Sequence, residues 1–448
     1  MLDFDDPKPS SDLLGRFSQL AVFNVLSNLT EPLAGLIGIA FLGHLSDIHD
    51  LAGVSLATVL YNYIYDILFF LRVSTTAITA QSVGRNDTEE ILLVGLRNTF
   101  IALVIGTLIF LLHYPLGKLG FAFLHASPEV ESLGLSYFNA RILGAPAVLL
   151  NYVIMGWFLG RAESGKVLLL TGIGNITNVV LNYVAIIQWN LGSRGAGLSQ
   201  ATSEYLMLLI GLLLVSFSID WKILPKVMTK FWNWSAFKST FIFNRDLSFQ
   251  LLVYTFMGSI FFNLSAGLGT EALAINTLLL QIAYFIMFLI EGVGLATETL
   301  TGTLQGQLAN DQFFPLLQIS ILMSLGLGVV AAGTCILLPE TIFGWLTNHT
   351  EIIESLKQYV PWLLLVLSCF SIAGILEAYF AGLAKGDSLR NAALVAILLG
   401  FSPVAIWAWF AHNNHILWLA LSMFMASRVV ALAVQLPGTF ETHSEVDT

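Results

Sequence analysis

Long apolar stretches recur along the entire chain, separated by short polar breaks where glycine, proline, lysine and arginine collect. A helix needs about 20 predominantly apolar residues to cross a bilayer. The pattern predicts twelve of them, at 17–43, 51–80, 92–116, 133–158, 166–187, 196–218, 247–267, 272–302, 314–338, 357–383, 391–411 and 415–435. Lipid offers the backbone no hydrogen-bond partners, so each span must satisfy its own N–H and C=O groups, which a helix does. A membrane barrel would instead show shorter segments of strict alternation, and the chain has none. The expected fold class is all-α integral membrane. No basic region with a cleavable apolar run precedes the first span, which is therefore expected to remain as the first helix.

The longest polar break, 219–246, carries Lys222, Lys226, Lys230, Lys238 and Arg245 and separates two sets of six helices. The expected organisation is a tail over 1–16, an N-lobe over 17–218, a linker over 219–246, a C-lobe over 247–435 and a second tail over 436–448. The lobes match at a constant offset of 222 residues: Leu51 and Ala52 fall on Leu273 and Ala274, Ile64 on Ile286, Thr75 on Thr297, Thr79 on Thr301, Gly84 on Gly306, Tyr137 on Tyr359, Phe158 on Phe380 and Gly160 on Gly382. Leu and Ala matches come cheaply in so apolar a chain, but an unbroken register over so long a stretch does not. With six spans per half, both halves enter from the same side, giving a parallel repeat about a pseudo-two-fold axis along the membrane normal. Transporters commonly use such repeats and place a substrate cavity between or within the halves.

Lysine and arginine in the breaks set the orientation. One side holds fourteen of the nineteen, among them Lys8, Arg16, Arg85, Arg97, Arg161, the five linker residues and Arg428; the other side holds Lys118, Arg194 and Lys357. Both termini and the linker are therefore expected in the cytoplasm, with the plasma (inner) membrane as the location.

Composition narrows the function. Hydrophobic residues make up 56% and charged residues only 11%, well below the charged share of a soluble domain. The formal charge of −10 argues against a nucleic-acid partner. Asp3, Asp5, Asp6, Glu441, Glu445 and Asp447 make both termini acidic. Cys335 and Cys369 sit in separate apolar runs without metal-type spacing, and His412 and His415 form an isolated pair in a short loop. No metal site, cofactor or catalytic cluster is expected, and the chain is read as a transporter rather than an enzyme.

Ionisable groups inside a bilayer are costly and mark substrate or ion paths. Glu31 lies within the first helix directly before Pro32, and Asp66 lies at similar depth in the second. Glu204 is on the sixth, Glu291 and Glu298 are seven residues apart on one face of the eighth, and Glu377 is on the tenth. Only Arg72 and Arg141 are expected as bases at that depth, so the interior is net negative and favours cations. The competing readings are structural. The arginines can pair with acids and hold helices together, Glu298 lies near a helix end, and Glu204 can snorkel to the interface. Glu31, Asp66, Glu291 and Glu377 are harder to explain so. Such carboxylates are candidate proton carriers, because protonation removes the charge that attracts a cation and thereby couples the two fluxes. Asn175, Asn178 and Asn182 share one face of the fifth helix, and Asn151 on the fourth joins them as a candidate cavity residue. Helix–helix hydrogen bonding is an equal alternative for this stripe. Pro32 frees a backbone carbonyl and permits a kink, a candidate hinge.

Several segments carry a family resemblance: FLRVSTTAITAQSVG at 70–84, NYVIMGWFLGRAES at 151–164, GNITNVVLNYV at 174–184, FLIEGVGLATETLTG at 288–302 and EAYFAGLAKGDSLRNAA at 377–393. On these the chain resembles the multidrug and toxic compound extrusion (MATE) family in its DinF-like branch, over nearly its whole length. The resemblance implies a monomeric exporter of amphipathic, often cationic small molecules, driven by inward proton or sodium flow, with two lobes that open alternately. It also implies coupling acids. Glu291, Glu298 and Glu377 match acidic positions of the C-lobe. The N-lobe departs from the pattern: in the motif Pro32 to Gly38 followed by Gly43-His44-Leu45, Gly38 stands where the branch has aspartate, and Asn182 stands where its fifth helix has another. Either the acid has moved to Glu31 and Asp66, or coupling rests on Glu291 and Glu377, or the protein serves one substrate with different coupling. Two unusual acids accompanying two missing ones favour relocation.

Three rivals remain at this stage. A lipid-linked sugar flippase needs a cationic cavity, for which only Arg72 and Arg141 are at hand. A membrane enzyme needs His, Asp or Cys clustered at one interface. A dedicated exporter of one endogenous metabolite differs only in substrate.

Overall fold

The computed structural model describes residues 11–43, 48–123, 127–347 and 349–440; the acidic tails and the His44-Leu45 pair lie outside them. Twelve spans among the described residues are long and apolar enough to cross a membrane: α1 Leu13–Gly43, α2 His49–Gly84, α3 Thr88–Leu111, α4 Pro128–Gly160, α5 Ser164–Gln188, α6 Gly192–Ser218, α7 Trp234–Gly267, α8 Thr270–Gly306, α9 Asn310–Leu337, α10 Pro361–Gly382, α11 Gly386–Ala411 and α12 Asn414–Ala433. No strand occurs among the described residues. Every span corresponds to one read from the hydropathy pattern. The largest difference is α7, which begins at Trp234 rather than 247. Its first turns, WSAFKSTFIFNRD, are polar enough to read as a linker, yet they contain no proline or glycine, and Asn233 Oδ1 accepts the Ala236 N–H at 3.3 Å to start the helix.

The chain divides into two compact units. One holds residues 26–241, namely the rest of α1, α2–α6, most of the linker and the first turns of α7; the other holds the first turns of α1, up to Val25, together with α7 from Ile242 onward and α8–α12. In the second unit, Phe17, Leu20 and Ala21 are buried, and a Cβ on Gly292 of α8 would stand 2.6 Å from the Val25 nitrogen. The core of that unit joins Phe261, Leu279, Ile290, Leu367, Phe401, Trp418 and Phe424.

The backbone carries the repeat in full register. Among the described residues, six other than glycine adopt positive φ, and they form three pairs each 222 apart: Asn86 and Leu308, Ala162 and Ala384, Asn190 and His412. Each follows the end of a span, where a left-handed residue closes the last turn. Leucine and alanine have no preference for that conformation, so the pairs reflect a shared chain path rather than local preference. A close helix approach also repeats. A Cβ on Gly160 of α4 would lie 2.6 Å from both the Thr76 carbonyl oxygen and Thr79 Cβ of α2. A Cβ on Gly382 of α10 would lie 2.6 Å from the Glu298 carbonyl oxygen and 2.8 Å from Thr301 Cβ of α8. Small residues let membrane helices pack backbone to backbone, and here the same crossing is built twice.

Candidate functional site

In the first unit, α1 is fastened to α5 by neutral bonds. Ser27 Oγ and Thr171 Oγ1 are 2.9 Å apart, and Asn175 Nδ2 donates to Thr30 Oγ1 at 2.8 Å. Asn182 Nδ2 donates to Asn178 Oδ1 at 3.1 Å. Both are buried, with Asn178 Nδ2 and Asn182 Oδ1 lacking hydrogen-bond partners among the described residues. A Cβ on Gly38 would meet only Asn182 Nδ2, at 3.3 Å. The two positions where the resemblance implies aspartates are thus neighbours in space, and both are neutral. The asparagine stripe splits: Asn175 serves the α1–α5 contact, while Asn178 and Asn182 bond to each other.

Asn151 does not join that stripe. Its Nδ2 donates to Glu204 of α6, at 2.9 Å to Oε2 and 3.0 Å to the carbonyl oxygen. Gln200 Nε2 donates to Glu204 Oε1 at 3.3 Å. Glu204 is therefore held inside the unit by two amides instead of reaching outward, and it makes no ion pair among the described residues. Arg141 stands within electrostatic range of it but donates from Nη1 to Tyr137 Oη at 2.9 Å, with its guanidinium 3.5 Å from the Tyr61 ring centre, a cation–π contact. Tyr61 and Tyr65 stack at 3.9 Å between centroids. Glu31 interacts electrostatically with both Asp66 and Glu204, and Tyr152 lies within reach of all three acids. Glu31 and Asp66 are exposed on their spans. Ionised groups at such depth face a polar cavity rather than lipid, so this face, lined by tyrosines, is the candidate cation path. Arg72 is buried elsewhere in the unit, 5.2 Å from the Phe69 ring centre and without an ion pair among the described residues.

The second unit handles its acids differently. Glu377 of α10 accepts from Arg428 of α12 through both oxygens, Nε to Oε1 at 2.7 Å and Nη2 to Oε2 at 2.6 Å. Tyr254 Oη of α7 donates to the same Oε1, and Gln250 Nε2 donates to Tyr254 Oη at 2.9 Å. The Arg428 guanidinium lies 4.4 Å from the Tyr254 ring centre. Arg428 therefore corrects the reading that put it among the loop charges: it is 3% exposed and five residues inside the end of α12, which makes it a third base at depth beside Arg72 and Arg141. Arg97, likewise counted with the loops, is buried in α3. Glu298 is buried in α8 and Glu291, two turns earlier, is half-buried. At a polar end of the unit, buried Asp246 accepts from Arg245 at 2.8 Å and Arg390 at 2.9 Å.

Sequence reasoning passed over three partners: Gln200, Tyr254 and Arg428. A tally of charges by distance from the span ends would have flagged Arg428. Nothing in the sequence alone pairs Asn151 with Glu204, 53 residues away.

The family model described as MatE matches residues 24–184 and again 247–406, once in each half. The chain is 29% identical to DNA damage-inducible protein F of Escherichia coli K12, covering 92% of this chain and 90% of that protein. It is 21% identical to the probable multidrug resistance protein NorM of Bacillus subtilis, covering 80% and 79%. Among solved structures, an outward-facing multidrug resistance MATE family transporter of the MOP superfamily superposes with a TM-score of 0.87 at 17% identity, covering 98% of this chain and 100% of that one. A MOP superfamily transporter from Pyrococcus furiosus gives 0.84 at 16% identity, covering 97% and 98%. With the family model matched twice in one chain of twelve spans, the protein belongs to the MatE family of multidrug and toxic compound extrusion transporters.

Proposed function

We propose that the protein exports amphipathic, cationic small molecules by antiport against inward proton or sodium flow with alternating access, and that coupling resides in Glu31, Asp66 and Glu204. The observation that carries this reading is the state of Glu204: a carboxylate at depth, bonded by Asn151 and Gln200, without an ion pair among the described residues and in electrostatic contact with Glu31. Amide donors orient such a group without cancelling its charge. A cation and a proton then compete for the same oxygen atoms, which makes their fluxes exclusive and opposite. Glu377, by contrast, already has a fixed guanidinium partner. On this reading the protein works as a monomer in the plasma membrane with both termini in the cytoplasm.

The test is efflux of a fluorescent lipophilic cation from proteoliposomes under an imposed pH gradient and then a sodium gradient. Wild type is compared with Glu31→Gln, Asp66→Asn, Glu204→Gln and Glu377→Gln. Glu204→Gln keeps an oxygen for Asn151 and is expected to fold normally while losing gradient-driven efflux by at least about tenfold, a barrier change of about 1.4 kcal/mol. Full activity in the Glu31, Asp66 and Glu204 variants would move coupling to the C-terminal unit. Failure of every cation tested in the wild type would favour a dedicated metabolite exporter.

A further inference from the structure

The linker between the two repeats is folded onto α3, and part of its outer face stays exposed. Its short helix, Leu224–Thr229, and the residues after it bury Val227 and Phe231 against Leu92 and Leu93. Arg97 pins this arrangement: Nε donates to the Phe231 carbonyl at 3.3 Å, Nη2 to the Lys230 carbonyl at 3.0 Å, and Nη1 to Glu90 at 3.0 Å. Glu89 binds Lys226 and Lys230 from the other side, and this bond holds the Lys230 ammonium above its ordinary range. Trp232 then packs 5.5 Å from Phe100, a residue twelve positions into a membrane span and itself exposed on it.

Three tryptophans nonetheless stay open: Trp221 is 58% exposed, Trp232 74% and Trp234 81%. Between 219 and 241 there are four lysines and one acid, Asp220, in a chain whose net charge is −10. Lys222 and Lys238 are exposed and make no ion pair among the described residues. Tryptophan beside lysine, fixed against the flank of a span, is the chemistry of the membrane–water interface. The indole ring sits among the headgroups, and each basic side chain near an anionic surface adds about 1 kcal/mol of attraction.

We propose that the linker is an interfacial anchor that binds the headgroups of anionic phospholipids, through Lys222 and Lys238 with Trp221, Trp232 and Trp234 seated at the acyl boundary. The anchor is independent of which acids couple transport. It makes the lipid beside α3 selectively anionic and holds the connection between the repeats at the membrane surface.

The full-length protein is reconstituted in phosphatidylcholine vesicles doped with acyl-brominated phosphatidylglycerol or acyl-brominated phosphatidylcholine, and its tryptophan fluorescence is measured. The contribution of the linker is the difference between wild type and Trp232→Phe/Trp234→Phe. Quenching of that contribution is expected to be stronger with the brominated anionic lipid. The preference should fall by on the order of tenfold in Lys222→Gln/Lys238→Gln, and it should fade at high salt. The lysine variant touches no bond that holds the linker, so its melting temperature in detergent should match the wild type, which separates lost binding from lost folding. Equal quenching by the two lipids overturns the proposal. So does a preference for the anionic lipid that survives both the lysine substitutions and high salt. Absence of quenching by either lipid also overturns it and points to water or a protein on that face.

Discussion

The two units place a buried polar pair between the same two spans of the repeat and fill it with opposite chemistry. In the N-terminal unit α4 and α6 are bridged by Asn151 and Glu204; in the C-terminal unit their counterparts α10 and α12 are bridged by Glu377 and Arg428. The register shows that the charges did not descend together. The position of Glu377 corresponds to Met155, that of Arg428 to Leu206, and that of Glu204 to Ala426. Duplication fixed the backbone crossing, down to Gly160 and Gly382. The polar residues were then set separately in each copy. One pair is an ion pair whose charges cancel, and such a pair is a tie between helices. The other leaves a carboxylate oriented by amides, and such a group is able to exchange its partner.

The largest effect that can break this contrast is on stability. Removing one partner of a buried ion pair costs about 3–5 kcal/mol, whereas replacing both with apolar residues is often neutral. Arg428→Met is therefore expected to lower the melting temperature sharply in detergent, and Glu377→Met/Arg428→Met to recover most of the loss. Glu204→Met in the same measurement should cost less, because no uncompensated arginine is left behind in an ion pair. Equal destabilisation in both units would erase the distinction between tie and exchange site.

Next in size are the repeated glycines. Gly160→Ala and Gly382→Ala each force a methyl group to within 2.6 Å of a carbonyl oxygen, and overpacking of this kind costs about 1–3 kcal/mol. The two are expected to shift the melting temperature alike, since the crossing is shared. A large difference would mean that only one copy of the crossing is rigid.

The smallest effect sharpens the functional side. In Gly38→Asp the added Cβ meets only Asn182 Nδ2, a donor close to the new carboxylate. It is expected to leave melting little changed and, in a Glu204→Gln background, to return part of the pH-driven efflux. No recovery would show that this place in the unit does not communicate with the candidate cation path.

Much of this was legible in the chain. The hydropathy pattern dictated twelve spans, because a bilayer admits a backbone only when its polar groups are satisfied within the segment. The constant offset of 222 foretold the repeat, and the three pairs of left-handed residues carry the same register. The candidate acids were visible too, since charge in an apolar run is conspicuous whatever the fold. What the sequence could not decide was partnership. Asn151 and Glu204, or Glu377 and Arg428, are some fifty residues apart, and only helix packing brings them together. Whether a buried carboxylate binds an ion or merely ties two helices depends on the group opposite it at about 3 Å. That distance is set by the rotation and depth of a second helix, which periodicity in the first does not encode.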